Sequence, residues 1–433
     1  MVRQMLLGAL CGALLTLCAL LPVQAAAAAP PTVPVAGQGA GPGASLAPPP
    51  PPPPSGPGNG VASSGGTPVP APADLAQSQL QGVDTAGIAT FVNEIGAQLG
   101  PDAGFGWHSL GDFLHGGGLL RHPDRLLTAL TALFAGELRQ SLGLLGKLLV
   151  LVVLAGVVRQ IQGAFENEAV GHIADAVIFL ALGVLCLVGF TLAVRLARGA
   201  VGDLSSFMVA LLPAMVGLLA AGGSVTTAGL MHPAMVAAVN AVGIHVRAVV
   251  FPLVLLAAVL DIVSAFTPSF KLTSLAALIR QISLGVLGLL FTVFLGVVAV
   301  SGAAGAVADG VALRAAKYAS KAFVPIVGGM FADTAELILT SGFLLRSGLG
   351  LLGLVTIVLL VVIPVLKMLA LWAVYRLAAA VAQPVGGEGV ASVLGGVGGA
   401  LVLLTVAVAV VGLMCFLSLA ALVGAGSAAF MLH

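Results

Sequence analysis

Apolar runs recur from residue 142 to residue 422, and each is long enough to cross roughly 30 Å of hydrocarbon, which takes about 20 residues of helix. In lipid every backbone N–H and C=O must be satisfied internally, which leaves only helices or closed barrels. Runs of this length are helical. They lie at 142–159, 174–195, 204–222, 231–263 (broken or kinked near Pro252), 282–302, 348–366 and 395–422. Weaker stretches at 323–345 and 367–384 are compatible with spans, re-entrant segments or interfacial helices, so the total drawn is seven to nine. The predicted fold is all-α, a polytopic helical membrane protein. Composition agrees: only 8% of the 433 residues are charged and 59% are hydrophobic, whereas soluble domains carry roughly 25% charged residues. A net charge of +1 offers no basic face for nucleic acid.

The segments before residue 141 differ in kind. Residues 1–25 are predicted to be a cleavable signal peptide: Arg3, an apolar stretch from Met5 to Leu21, then Val23 and Ala25 as small residues before the cut. Residues 26–80 form a Pro/Gly/Ala-rich linker with seven consecutive prolines at Pro48–Pro54. With almost nothing to bury, it reads as a disordered tether. Residues 81–140 are predicted to be a small helical extracytoplasmic domain. There Ile88, Phe91, Val92, Ile95 and Leu99 recur at helical spacing behind Asp84, and Pro123 and Asp124 open a second helix that runs into the first span. Residues 141–433 form the multi-span domain.

No catalytic constellation stands out. The chain has neither HExxH nor GxSxG, and "GLLGK" at Gly143–Lys147 lacks the spacing and Ser/Thr of a phosphate loop. Seven histidines lack metal-ligand spacing. Cys11, Cys18, Cys186 and Cys415 all lie in apolar runs and read as packing residues. The expectation is a non-enzyme with no cofactor and no metal.

Polar groups inside apolar segments are therefore the candidate functional residues, because they are costly there. Asn240, His245, Arg247 and Asp261 share one run. Arg247 and Asp261 sit roughly 21 Å apart along a helix axis, too far to pair, so each needs a partner from elsewhere. Gly395 and Gly399 form a GxxxG pair, a face for packing against other helices or a second copy. The stretch "FLGVVAVSGAAGAVADGVALRAAKYASKAF", Phe294 to Phe323, turns from membrane helix to small residues and charge. On a helix, Arg314, Lys317 and Lys321 share one stripe, and Asp309 finds no intrahelical ion partner. Asp309, Arg314, Lys317 and Lys321 are the candidate lining of a pore or cavity. Lys/Arg bias cannot orient this run: Lys271 and Arg280 flank one end and the basic stripe the other.

The wording "TVFLGVVAVSGAAGAVADGVALRAAKY" followed by "FVPIVGGMF" resembles the stage III sporulation protein AE family of endospore-forming bacteria. So do "AFENEAV", "LLPAMVGLLAAGGSVTTAGLMHP", "KLTSLAALIRQISLGVLGLL", "YRLAAAVAQPVGG" and "VGLMCFLSLA". The resemblance runs from about residue 85 to the C-terminus, and the linker looks longer than the family's usual one. It implies a non-enzymatic subunit, platform or conduit, of the channel or feeding-tube complex that connects mother cell and forespore. The implied partners are the other stage III sporulation proteins of the AA–AH set, including the AA-type ATPase, and the forespore-side channel protein. The implied place is the mother-cell-derived membrane around the forespore, with the N-terminal domain extracytoplasmic. The family supplies no catalytic residues to carry over. Two rivals stay open: a self-contained secondary transporter, which would show paired repeats, and a sealed structural scaffold.

Overall fold

The computed structural model describes residues 85–100, 105–108, 123–162, 168–221, 224–266, 272–323, 328–385 and 387–430, all within one compact unit, Ala71–His433. The predicted signal peptide, the linker and the Asp84 cap lie outside the described residues, as do the side chains of 310–344. The described elements are helices: α1 (Ala86–Leu99), α2 (Pro123–Gln162), α3 (Glu168–Ala221), α4 (Val225–His245), α5 (Phe251–Phe266), α6 (Thr273–Phe323), α7 (Gly328–Val385) and α8 (Gly387–Phe430). Among the described residues there is no strand.

In α1 the predicted periodicity holds. Ile88, Val92, Ile95 and Leu99 are buried on one face, and Phe91 meets Phe207 of α3 edge-on with ring centroids 5.8 Å apart. Helix α2 starts at Pro123 and continues without a break through the first predicted span. The run predicted to break near Pro252 contains a π segment, Val246–Val250, between α4 and α5. There the Phe251 N–H reaches back to the Val246 carbonyl. Proline cannot donate its own N–H and its ring crowds the preceding turn, and a widened turn just before it relieves that crowding.

Among the described residues six helices are long and apolar enough to cross a membrane, within Leu127–Val158, Ala176–Ala220, Val225–Ala265, Thr273–Asp309, Leu345–Val385 and Gly387–Gly424. This is fewer than the seven to nine drawn from hydropathy. The runs at 174–195 and 204–222 are one helix, α3, and 348–366 and 367–384 are one helix, α7. A polar interval such as "RLARGAVGD" at 195–203 interrupts an apolar window but not the i→i−4 ladder. The helix runs on through it, and further along it continues past Pro213 as well.

Helices α7 and α8 form an antiparallel hairpin at the centre. Gly387, at φ 81, turns the chain between them in a left-handed conformation that glycine adopts without strain. Over their most apolar stretches 67% and 61% of residues are buried, against 22% in α6. Close approach comes from absent side chains: Gly412 lies against Val361, and a Cβ on Gly353 would stand 2.9 Å from both Leu211 of α3 and Leu419. Tyr375 of α7 lies over Gly189 of α3 and donates its buried hydroxyl to the Cys186 carbonyl at 3.1 Å.

Candidate functional site

Helix α4 begins after Ser224, a residue type that commonly caps a helix through its side chain, yet Ser224 makes no such bond. The cap comes from α6 instead. Asp309 Oδ1 accepts the Thr226 N–H at 2.8 Å and Oδ2 accepts the Thr227 N–H at 3.0 Å. One carboxylate thus satisfies two of the orphan donors at a helix start and sets negative charge at the positive end of its dipole. One turn earlier on the same face of α6, Gly305 makes the approach feasible: a Cβ there would lie 2.7 Å from the Thr227 Cα. Gly305 and Asp309 therefore work together, one as a gap and one as a clasp. The sequence reading grouped Asp309 with Arg314, Lys317 and Lys321. The structure gives Asp309 these backbone partners on α4, while the side chains of the three basic residues lie outside the described residues.

Asp261, near the far end of the α4–α5 run, pairs with Arg280 of α6. Arg280 also donates to the Gly396 carbonyl of α8 at 3.1 Å. The pair joins three helices, and glycines make room for it. A Cβ on Gly396 would stand 2.9 Å from the Asp261 side chain, and one on Gly399 would meet the Arg280 guanidinium at 3.8 Å. Around Gly395 a Cβ would find open space. Of the predicted GxxxG pair, then, Gly399 faces the ion pair, Gly395 faces outward, and Gly396 makes the tight contact. The orientation conflict also eases: Arg280 lies inside α6 bonded to Asp261 and is not a free loop charge.

The other polar residues of the α4–α5 run turn to their own helix. Asn240 donates to the Val236 carbonyl at 3.0 Å, Arg247 Nε donates to Gly243 at 2.9 Å, and His245 Nδ1 lies 2.7 Å from the Ala241 carbonyl. Arg247 also lies against α3, its guanidinium 3.6 Å from where a Gly202 Cβ would stand.

A cluster that the sequence reading missed sits at mid-height of the bundle. Lys367 of α7 pairs with Glu137 of α2 at 3.4 Å. Beside it a cavity of about 400 Å³ opens between α1, α3 and α7, with Gln98, Arg195, Asp203 and Lys367 among its lining residues. Arg346 of α7 was also passed over, and it is buried with 4% exposure. Only the interruption of an otherwise apolar helix pointed to any of them. Among the described residues no group of His, Cys, Asp and Glu is arranged to hold a metal ion.

The chain was compared with known proteins. The family described as Stage III sporulation protein AE matches residues 108–426. The Stage III sporulation protein AE of Bacillus subtilis (strain 168) is 34% identical over 361 residues, covering 83% of this chain and 90% of that protein. No solved structure matches. A match spanning the bundle from α2 to α8, at that identity and coverage, leaves one conclusion: this chain is a multi-pass membrane protein that belongs to the stage III sporulation protein AE family.

Proposed function

We propose that the chain is a non-enzymatic platform or conduit subunit of the channel complex that joins mother cell and forespore, placed in the mother-cell-derived membrane. Its partners in this reading are other stage III sporulation proteins, the AA-type ATPase among them, and the forespore-side channel protein. Family membership supports a sporulation role. The observation that carries the architectural part is how the described polar residues are used. Asp309 caps α4 and Asp261 with Arg280 ties three helices, so charge inside the apolar bundle joins helices together. In the conduit version the basic stripe of Arg314, Lys317 and Lys321 faces water.

The test is purification of a tagged chain from sporulating cells, together with reconstitution of the chain alone. Co-purification of the ATPase and other AA–AH proteins, with no solute uptake by proteoliposomes containing only this chain, is the expected result. Ion-coupled uptake by the chain alone would favour the transporter reading and overturn this one. Single cysteines at Arg314, Lys317 and Lys321 should react with a hydrophilic thiol reagent while those at Val311 and Ala315, which fall on the opposite stripe of a helix, stay inert. Reaction around the whole helix would sink the lining role.

A further inference from the structure

Contacts between helices place charges from four of them at one level. Glu137 meets Lys367, the cavity beside Lys367 reaches Arg195 and Asp203, and Arg247 lies against Gly202. This band divides the bundle. On one side are the Val385–Gly387 turn and the Tyr375–Gly189 contact; on the other are the Gly353–Leu211 contact and the Asp309 cap. The apolar stretch of α3 alone, 45 residues, would measure about 67 Å at 1.5 Å per residue, roughly twice the hydrocarbon thickness.

The two sides of the band differ on the α2–α3 flank. Of the described large apolar side chains exposed on these two helices, all but Leu127 and Val209 lie on the turn side of Glu137 and Arg195. On the opposite side α3 is covered by α1, Phe91 on Phe207 and Gly87 on Ala210. Helix α1 buries its apolar face there and leaves Thr90, Asn93, Glu94 and Gln98 exposed. Along the band itself Arg195, Arg198 and Asp203 are exposed. Ionised side chains open to the surface need hydration, and hydrocarbon supplies none. Among the described side chains, two exposed cations lie on the turn side, Lys147 and Arg376. Both are on helices that run away from the band, so their long side chains lean back toward it and can carry the charge to an interface.

We propose that the flank formed by α1 and the middle of α3 faces water, and that lipid meets α2 and α3 only on the turn side of the charged band. Helix α1 is the element that creates this boundary. It covers an apolar stretch of α3 and presents a polar face in its place. This assignment of surfaces does not depend on the assembly role proposed above.

The test is a spin-label scan along the exposed stripe of α3 in the full chain in lipid nanodiscs, with Cys11, Cys18, Cys186 and Cys415 replaced by Ala. Labels at Leu180, Val184 and Val188 should relax several-fold faster with oxygen than with a water-soluble nickel chelate. Labels at Arg198, Ser206 and Val209 should show the reverse, with the crossover at the band. All six positions are exposed, so labelling leaves the packing in place. Oxygen dominance at Ser206 and Val209 would overturn the proposal, because lipid would then reach under α1. So would nickel dominance at Val184 and Val188. A label at Glu94 provides a second reading, nickel-accessible if α1 faces water and oxygen-dominated if it lies in lipid.

Discussion

The central hairpin α7–α8 and the flank α4–α5–α6 are both apolar helical groups in one bundle, yet different forces hold them. The hairpin is held by shape: Gly412 on Val361, and Gly353 between Leu211 and Leu419. On the flank, polar bonds do the joining, with Asp309 on the start of α4 and Asp261 with Arg280 and Gly396. Lipid is as apolar as leucine, so apolar burial alone gives helices little reason to associate in a bilayer. Close packing and interhelical hydrogen bonds are the two remaining means. The hairpin is enclosed on most sides and can use packing. Helix α6 buries only 22% of its most apolar stretch, and so relies on a few directional contacts.

The largest expected effect is on the flank. Asp261→Leu or Arg280→Leu alone leaves a charge without its counter-ion and should cost about 3 kcal/mol, the low end for a broken buried pair because Arg280 keeps some exposure. The double substitution should recover much of the loss, since apolar replacement of a whole buried pair is often close to neutral. Thermal unfolding in detergent, followed by helical circular dichroism, gives both numbers. Additive losses would mean that the pair is not a coupled unit.

Close packing comes next, and it compares the two regions directly. Gly412→Ala in the hairpin and Gly305→Ala on the flank should each cost about 1–3 kcal/mol by overpacking. The second should fall nearer the top of that range, because the obstacle at Gly305 includes the Thr227 backbone whereas Val361 presents only a side chain. Equal losses would remove the distinction between a packed hairpin and a clasped flank.

Asp309→Ala should cost about 1 kcal/mol, the usual value of a helix cap, and should be seen first as faster amide exchange at Thr226 and Thr227. Asp309→Asn keeps an acceptor oxygen and should lose less. If Asp309→Ala leaves that exchange unchanged, the interhelical cap contributes nothing in solution. Smaller still is Tyr375→Phe, which removes one buried hydrogen bond to Cys186 and should cost about 0.6 kcal/mol, the average found for such bonds between membrane helices. Gly395→Leu should leave the stability of the single chain unchanged, because its surroundings are open. A fall in the size of the detergent-extracted complex in that variant would show that Gly395 packs against another chain.

The sequence by itself determined that this chain is helical and lives in a membrane, because hydropathy and backbone satisfaction are properties of local stretches. It determined the buried face of α1 and the irregularity before Pro252 for the same reason: periodicity and a missing N–H act within one or two turns. Only the tertiary structure decided which hydropathy dips end a helix, since an interval like 195–203 stays helical once α1 and α7 cover part of it. It also decided who meets whom. Asp309 finds Thr226 at a separation of 83 residues, and Arg280 finds Gly396 at 116. Side chains brought together by packing over such distances leave no periodic signal in either segment. The intramembrane polar residues could therefore be named from sequence, while their partners depended on the fold.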